Sequence, residues 1–312
     1  MSDTRLDIRS DLSCKIHLFC TQVVHPVVVI AGPTASGKSA LALHLAETLQ
    51  GVIINADSQQ LYQGLDLLTA KPSLEDRAIC PHQLYGTFPN TAPGLNAASW
   101  REYACQQIDQ VHGMGQVPFV VGGTGFYLQA LIQGLSAMPF IPRDPSFDDK
   151  DMYQRLCLVD PELGQRLHPR DRQRIQRALE VFTTTGRPLS FWQKQPRQSC
   201  GPYQFFTIAI LPSLDVLTKR IGKRFDILLQ QGLLQEVSQY QEESKESLSL
   251  APLSQAIGLK ILQRFQKGEL SWSQTQELFI QQTRQYAKRQ RTWFKGQLKS
   301  DEILKFPYPL EF

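Results

Sequence analysis

The chain has 312 residues, of which 42 % are hydrophobic and 20 % charged, with a formal net charge of +4 at pH 7. That length holds one large domain or two moderate ones around a substantial core, and the composition is that of a soluble globular protein. The net charge is too small to name a partner, and no apolar stretch approaches the ~18 residues that would span a bilayer.

Residues 1–22 carry Asp3, Asp7 and Asp11 and no apolar h-region. They read as an N-terminal extension ahead of the first strand, not as a secretory signal. The six cysteines, Cys14, Cys20, Cys80, Cys105, Cys157 and Cys200, form no C-x-x-C pair and no zinc-finger spacing with histidine. They are expected to be reduced thiols in a cytoplasmic protein.

The β-branched run at 27–31 predicts a buried parallel strand ending in a glycine loop. Leu41, Leu45 and Leu49 recur at helical spacing over 38–49, and Gly51 stops that helix. "VIIN" at 52–55, "VPFVV" at 117–121 and "FFTIAIL" at 205–211 predict three further strands. Strands alternating with helices imply an α/β fold, a P-loop NTPase-like parallel sheet flanked by helices. The Pro- and Gly-dense stretch 134–145 reads as a linker into an inserted all-helical domain at 140–200. The core domain is then 23–139 completed by 201–312. Its second part is helical from 213 onward, with Leu214, Leu217, Ile221, Phe225 and Leu228 three or four apart.

Gly32, Pro33, Thr34, Ala35, Ser36, Gly37, Lys38 and Ser39 satisfy G-x-x-x-x-G-K-[ST] between a strand and a helix. Such a loop turns backbone N–H groups inward, the helix N-terminus adds partial positive charge, and Lys38 adds a full one. Ser39 is placed to coordinate Mg²⁺ between phosphate oxygens. The loop specifies a diphosphate or a triphosphate without specifying ATP. A nucleotide hydrolase would also want an acidic residue ending a strand, and no apolar strand here ends in the usual two acids.

Ligands of open parallel sheets bind at the carboxyl ends of strands. The phosphate loop follows one strand, Asp57 follows the second, and Gly122-Gly123-Thr124-Gly125 follows the third, so all three should meet in one cleft. Alone, Asp57 reads equally as a cap or turn residue, and the glycines as a tight strand-to-helix turn.

Together with "NADSQQLYQGLDLLTAKP", "PHQLYG", "VVGGTGFYLQAL", "HPRDRQRIQRALEV" and "RQYAKRQRTWFK", the phosphate loop resembles the tRNA dimethylallyltransferases, also called tRNA isopentenyltransferases, in their bacterial form. The motifs run in family order from 32 to 295. The resemblance implies transfer of a dimethylallyl group from dimethylallyl diphosphate to N6 of an adenosine beside the tRNA anticodon, releasing diphosphate. It implies Mg²⁺ as cofactor, the tRNA anticodon stem-loop as partner, no membrane, and a monomer. Asp57 matches the family's general base, and Thr124 matches a substrate-contacting threonine. Lys38 and the loop amides would stabilise the departing diphosphate.

The same resemblance puts Asp57, Ser58, Gln59 and Gln60, Gln173, Arg174, Ile175, Gln176 and Arg177, and Lys288, Arg289, Arg291, Trp293 and Lys295 on tRNA. The last set lies in 284–299, which holds six basic residues, and 278–300 contains no acid. Arg284, Lys288, Arg291, Lys295 and Lys299 recur at four, three, four and four, one stripe on a helix. Phosphate neutralisation accounts for such a stripe, with Trp293 as a stacking candidate; an isolated stripe would equally be a solvated face.

One position departs from the family. An arginine usually stands about 22 residues after the threonine of the G-G-T motif, where this chain has Ser146. Arg143, three residues earlier in a proline-rich loop, is the expected substitute as a catalytic residue. The rival readings are a P-loop small-molecule kinase, an adenylate isopentenyltransferase and a catalytically impaired tRNA-binding relative. The first would consume ATP, and the second has no use for a basic helix.

Overall fold

A computed structural model describes residues 3–139, 141, 151–243 and 251–306. It divides into two compact units, one of residues 1–132 with 200–312, the other of residues 133–199.

The first unit is built on a six-stranded sheet. Its strands are β1 (Pro26–Ala31), β2 (Val52–Asn55), β3 (His82–Gln83) and β4 (Pro118–Gly122), and after the insertion β7 (Gln204–Ile210) and β8 (Glu302–Leu304). The insertion contributes β5 (Leu135–Ser136) and β6 (Arg197–Gln198). The sheet order is β3-β2-β4-β1-β7-β8, with every pair parallel. Val27–Ala31 and Phe119–Val121 are wholly buried, as continuous apolar runs must be when helices cover both faces. Because β2, β4 and β1 are neighbours, their carboxyl ends place the three sequence-predicted loops side by side.

Helices α1 (Asp3–Gln22), α2 (Lys38–Thr48), α3 (Asp66–Thr69), α4 (Leu74–Ile79), α5 (Ala97–Gly113) and α6 (Gly125–Gln133) precede the insertion. Helix α1 packs on the core: Leu12 and Ile16, one turn apart on it, are buried with Val28, Ile30 and Leu45. Cys105 of α5 is disulfide-bonded to Cys200, with Cα atoms 6.5 Å apart, which corrects the expectation of reduced thiols throughout. A bridge across 95 residues leaves no spacing signature to read. Cys14, Cys20, Cys80 and Cys157 are free.

The insertion carries α7 (Met152–Val159), α8 (Pro161–Arg166), α9 (Arg172–Thr185) and α10 (Leu189–Gln193), packed around Met152, Leu156, Leu163, Ile175, Ala178 and Leu179. Its two ends are held by the antiparallel β5–β6 ribbon, with Leu135 opposite Gln198. Gly134 turns into that ribbon at φ 73°, where a Cβ would press on the Gln198 backbone. Buried Asp160 fastens two helices, accepting from Leu163 N at 3.1 Å and Ser190 N at 2.9 Å.

The first unit closes with α11 (Leu214–Gln230), α12 (Leu233–Glu243), α13 (Leu259–Gln266) and α14 (Trp272–Gln297). Among the described residues no helix is long and apolar enough to cross a membrane.

Candidate active site

The phosphate loop leaves β1 through Gly32, where a Cβ would stand 2.8 Å from the Ile210 carbonyl of the neighbouring strand. Ala35 adopts φ 62° and Gly37 φ 95°, so the chain turns sharply before Lys38 opens α2. Left-handed geometry costs a non-glycine residue about 1 kcal/mol or more, and Ala35 bears that strain at the rim of the cleft. Ser36 is fully buried and its hydroxyl has no partner among the described residues. Ser39 is exposed in the first turn of α2.

Asp57 is fixed through its backbone by Asn55, which is fully buried at the end of β2. The Asn55 amide accepts from Asp57 N at 2.8 Å and donates to Asp57 O at 3.0 Å and to Leu84 O. Trp100 donates to Asn55 O at 3.0 Å and stacks on Tyr127. The Asp57 carboxylate uses Oδ1 to accept from Gln59 N at 3.1 Å. Thr124 joins the turn after β4 to this loop, its Oγ1 accepting from Ser58 N at 3.0 Å. Gln60 donates its side-chain amide to Thr69 O and Ala70 O and so braces the C-terminal end of α3. Gln59 faces the cleft, and its buried Oε1 has no partner among the described residues.

The phosphate loop and the Asp57 loop border a cleft within the first unit; the turn after β4 is absent from its lining and joins the site through the Thr124 bond to Ser58. One part of its lining is polar, with Thr34, Asp57, Gln59, Arg224 and Thr283; the other is apolar, with Leu68, Ile221, Phe225, Leu228, Ile257 and Phe279. Among the described residues of that lining, Asp57 is the only carboxylate. Loss of water pulls both the Lys38 ammonium and the Arg224 guanidinium below their ordinary values, while the Asp57 charge pushes each back up. Burial drives the Tyr286 phenol well above its usual range. Asp57, Arg224 and an apolar wall thus share the cleft, with Lys38 in electrostatic contact with both charges.

Arg224 is a site residue absent from the sequence-based set, although a signal for it is present. It sits three residues after Ile221 and four before Leu228, which places it on the apolar face of α11. A charged residue in such a stripe is a candidate for function, because its burial is costly. Arg143 lies outside the described residues.

Helix α14 has two faces. Lys288, Arg289, Lys295 and Lys299 are exposed. Arg284 and Arg291 of the predicted stripe bond instead within the unit, Arg284 Nε to Thr218 Oγ1 at 3.1 Å and Arg291 Nε to Pro212 O at 2.8 Å. The other face reads Phe279, Thr283, Tyr286, Gln290 and Trp293 at four, three, four and three, and its first three residues line the cleft. Trp293 is only half-exposed; its six-membered ring packs on Gly125, where no side chain would fit.

On α9, Gln173 and Arg174 are exposed, with Arg174 paired to Asp171 at 3.3 Å. Arg177 donates to Ile141 O at 3.0 Å and to Glu180 at 3.1 Å, and Gln176 also bonds Glu180. Ile175 is a correction: its side chain is in the core of the insertion and presents nothing at the surface.

No group of three or more His, Cys, Asp or Glu among the described residues could hold a metal alone. Mg²⁺ keeps several waters and takes its remaining oxygens from one or two protein groups and substrate phosphates. The exposed Ser39 hydroxyl beside the loop fits that donor set.

A family model described as "IPP transferase" matches residues 60–297. The chain is 40 % identical over 284 residues to the tRNA dimethylallyltransferase of Oleidesulfovibrio alaskensis, covering 86 % of this chain and 90 % of that protein. It is 41 % identical over 289 residues to the tRNA dimethylallyltransferase of Parvibaculum lavamentivorans, covering 89 % and 90 %. Among solved structures, a eukaryotic dimethylallyltransferase acting on tRNA superimposes with a TM-score of 0.73 at 30 % identity, covering 88 % of this chain and 70 % of that one. The tRNA isopentenylpyrophosphate transferase of Bacillus halodurans superimposes with a TM-score of 0.65 at 28 % identity, covering 93 % and 92 %.

Proposed function

The chain belongs to the IPP transferase family, and from that premise we propose that its cleft transfers a dimethylallyl group from dimethylallyl diphosphate to N6 of an adenosine beside the anticodon of tRNA. One observation carries the reading: a single cleft joins Arg224 and the Asp57 carboxylate to an apolar wall at the phosphate loop, and Lys38 of that loop interacts electrostatically with both charges. A nucleotide phosphate site needs the cations and has no use for the wall; an allylic diphosphate needs both.

The phosphate-loop amides, Lys38 and Arg224 hold the diphosphate, and Leu68, Ile221, Phe225 and Phe279 receive the five-carbon chain. The adenine enters turned out of its stack, as chemistry on a base requires. Its exocyclic nitrogen attacks the allylic carbon, a C–N bond forms, the C–O bond breaks, and diphosphate departs with the electron pair. Negative charge grows on the departing oxygen, where Lys38 and Arg224 stabilise it. The nitrogen must also lose a proton. Asp57 Oδ1 is engaged by the Gln59 N–H, so Oδ2 is the atom that takes it. Ser39 would hold a Mg²⁺, which supplies further neutralisation of the diphosphate when bound.

Thr124, bonded to the backbone beside Asp57, aligns that loop with the substrate. Lys288, Arg289 and Lys295 meet RNA phosphates on α14, and Gln173 and Arg174 do so on α9. The partners are thus the tRNA anticodon stem-loop and dimethylallyl diphosphate, met by a cytoplasmic monomer. Arg143 remains the sequence-based candidate for a second diphosphate contact; Arg224 supplies one regardless of it. Incubation of the protein with dimethylallyl diphosphate labelled in its carbon chain, Mg²⁺ and unmodified tRNA tests the reading. Label is expected in tRNA, and label that never leaves the diphosphate would overturn it.

A further inference from the structure

We infer that Gln290 is a positioning residue of this site: one buried amide on α14 sets the spacing between the donor loop and the turn beside the base. Its Oε1 accepts from Thr34 N at 2.9 Å, and its Nε2 donates to Gly123 O at 2.9 Å. The first bond reaches the loop after β1 and the second the turn after β4, the adjacent strand. Only a side chain with an acceptor and a donor on one planar group can do both; a carboxylate lacks the donor and an ammonium the acceptor.

Two further features fit this role. Gly123 is a glycine because Gln290 occupies the space of its Cβ, which would stand also 3.3 Å from Asp57 Oδ2. The amide therefore lies against the turn that touches the base. The strained Ala35 packs against the cluster of Leu217 and Ile221 on α11 and Ala287 on α14, and Ala287 lies three residues before Gln290. A left-handed alanine persists only where its surroundings over-determine it. The cluster restrains Ala35, and Gln290 fixes the N–H of the preceding residue. Without Gln290 the loop keeps only the first of these two restraints, and Thr34 N–H and Gly123 O are left without their buried partner.

The inference rests on the transfer reading, and the test keeps the two apart. Single-turnover transfer is measured with Gln290→Met at saturating donor and tRNA. The rate constant is expected to fall at least ~10-fold, since displacement by an ångström costs up to about 10²-fold, with full amplitude and tRNA affinity within about twofold of wild type. A purely structural role would lower the amplitude, the active fraction, and leave the rate constant of the remainder unchanged; that result overturns the inference.

Gln290→Glu, which keeps the length, covers the case in which Gln290→Met does not fold. It regains a donor only when protonated, so its rate relative to wild type at the same pH is expected to rise between about pH 8 and pH 6. A pH-independent ratio contradicts the role. If the wild-type protein transfers nothing, the function reading fails on its own. Gln290→Met must then still weaken binding of inorganic diphosphate ~10-fold in calorimetry, and unchanged affinity overturns the positioning role.

Discussion

Replacing Asp57 with asparagine removes a charge and a proton acceptor while keeping the local structure. The backbone at 57 is held on both sides by Asn55, and the new side-chain oxygen can still accept from Gln59 N. Two effects of opposite sign follow. Loss of the base slows transfer by roughly 10²–10⁴-fold, about 3–5 kcal/mol of barrier. Loss of the charge removes a repulsion on bound diphosphate. At an effective dielectric of about 20, two unit charges ~7 Å apart interact by about 2 kcal/mol, up to ~30-fold in Kd. Lys38 and Arg224 screen part of that, so ~30-fold is the ceiling. Asp57→Asn is therefore expected to bind inorganic diphosphate more tightly than wild type while reacting far more slowly. Calorimetry with diphosphate and single-turnover transfer on one preparation read both. Wild-type transfer would make Asp57 a turn residue, and weaker diphosphate binding would place its charge away from the donor.

Arg224→Met should raise the Kd for dimethylallyl diphosphate ~10–100-fold and leave the melting temperature unchanged or higher, because a desolvated cation is exchanged for an apolar chain on an apolar face; tRNA affinity stays constant. A fall in melting temperature with normal donor affinity would make Arg224 structural. Neutralising Lys288, Arg289 and Lys295 together should flatten the plot of log K for tRNA against log salt by up to about three units, one for each phosphate no longer neutralised. An unchanged slope in filter binding would leave that face merely solvated. Arg291 is excluded from that set because its bond to Pro212 O ties it to the fold. Gly125→Ala would press a methyl into the Trp293 ring, and overpacking of this kind costs about 1–3 kcal/mol; a urea midpoint equal to wild type would show that Trp293 moves freely.

The sheet was legible where the physics left a continuous signal. Strands buried on both faces are unbroken apolar runs, and β1, β2, β4 and β7 were visible on that ground alone. The edge strands β3 and β8 are two and three residues long and carry no period to read. The packing role of α1 was hidden because Leu12 and Ile16 stand among polar neighbours, and two buried residues make a faint stripe. Within the site, the glycine loop, Asp57 and Thr124 were readable from their places at strand ends. Arg224 and Gln290 were not, because the positive charge of α14 and the apolar period of α11 dominate those stretches of sequence. The informative pattern on both helices was the reverse, one polar residue set in an apolar face.

The most direct test follows both products of one reaction. Wild-type protein, dimethylallyl diphosphate, Mg²⁺ and unmodified tRNA are incubated with ATP also present. Released diphosphate and ATP are then quantified, and nuclease fragments of the tRNA are weighed. The expected result is one five-carbon unit on the adenosine beside the anticodon for each diphosphate released, with ATP unchanged. ADP formation without a prenylated fragment would contradict the account.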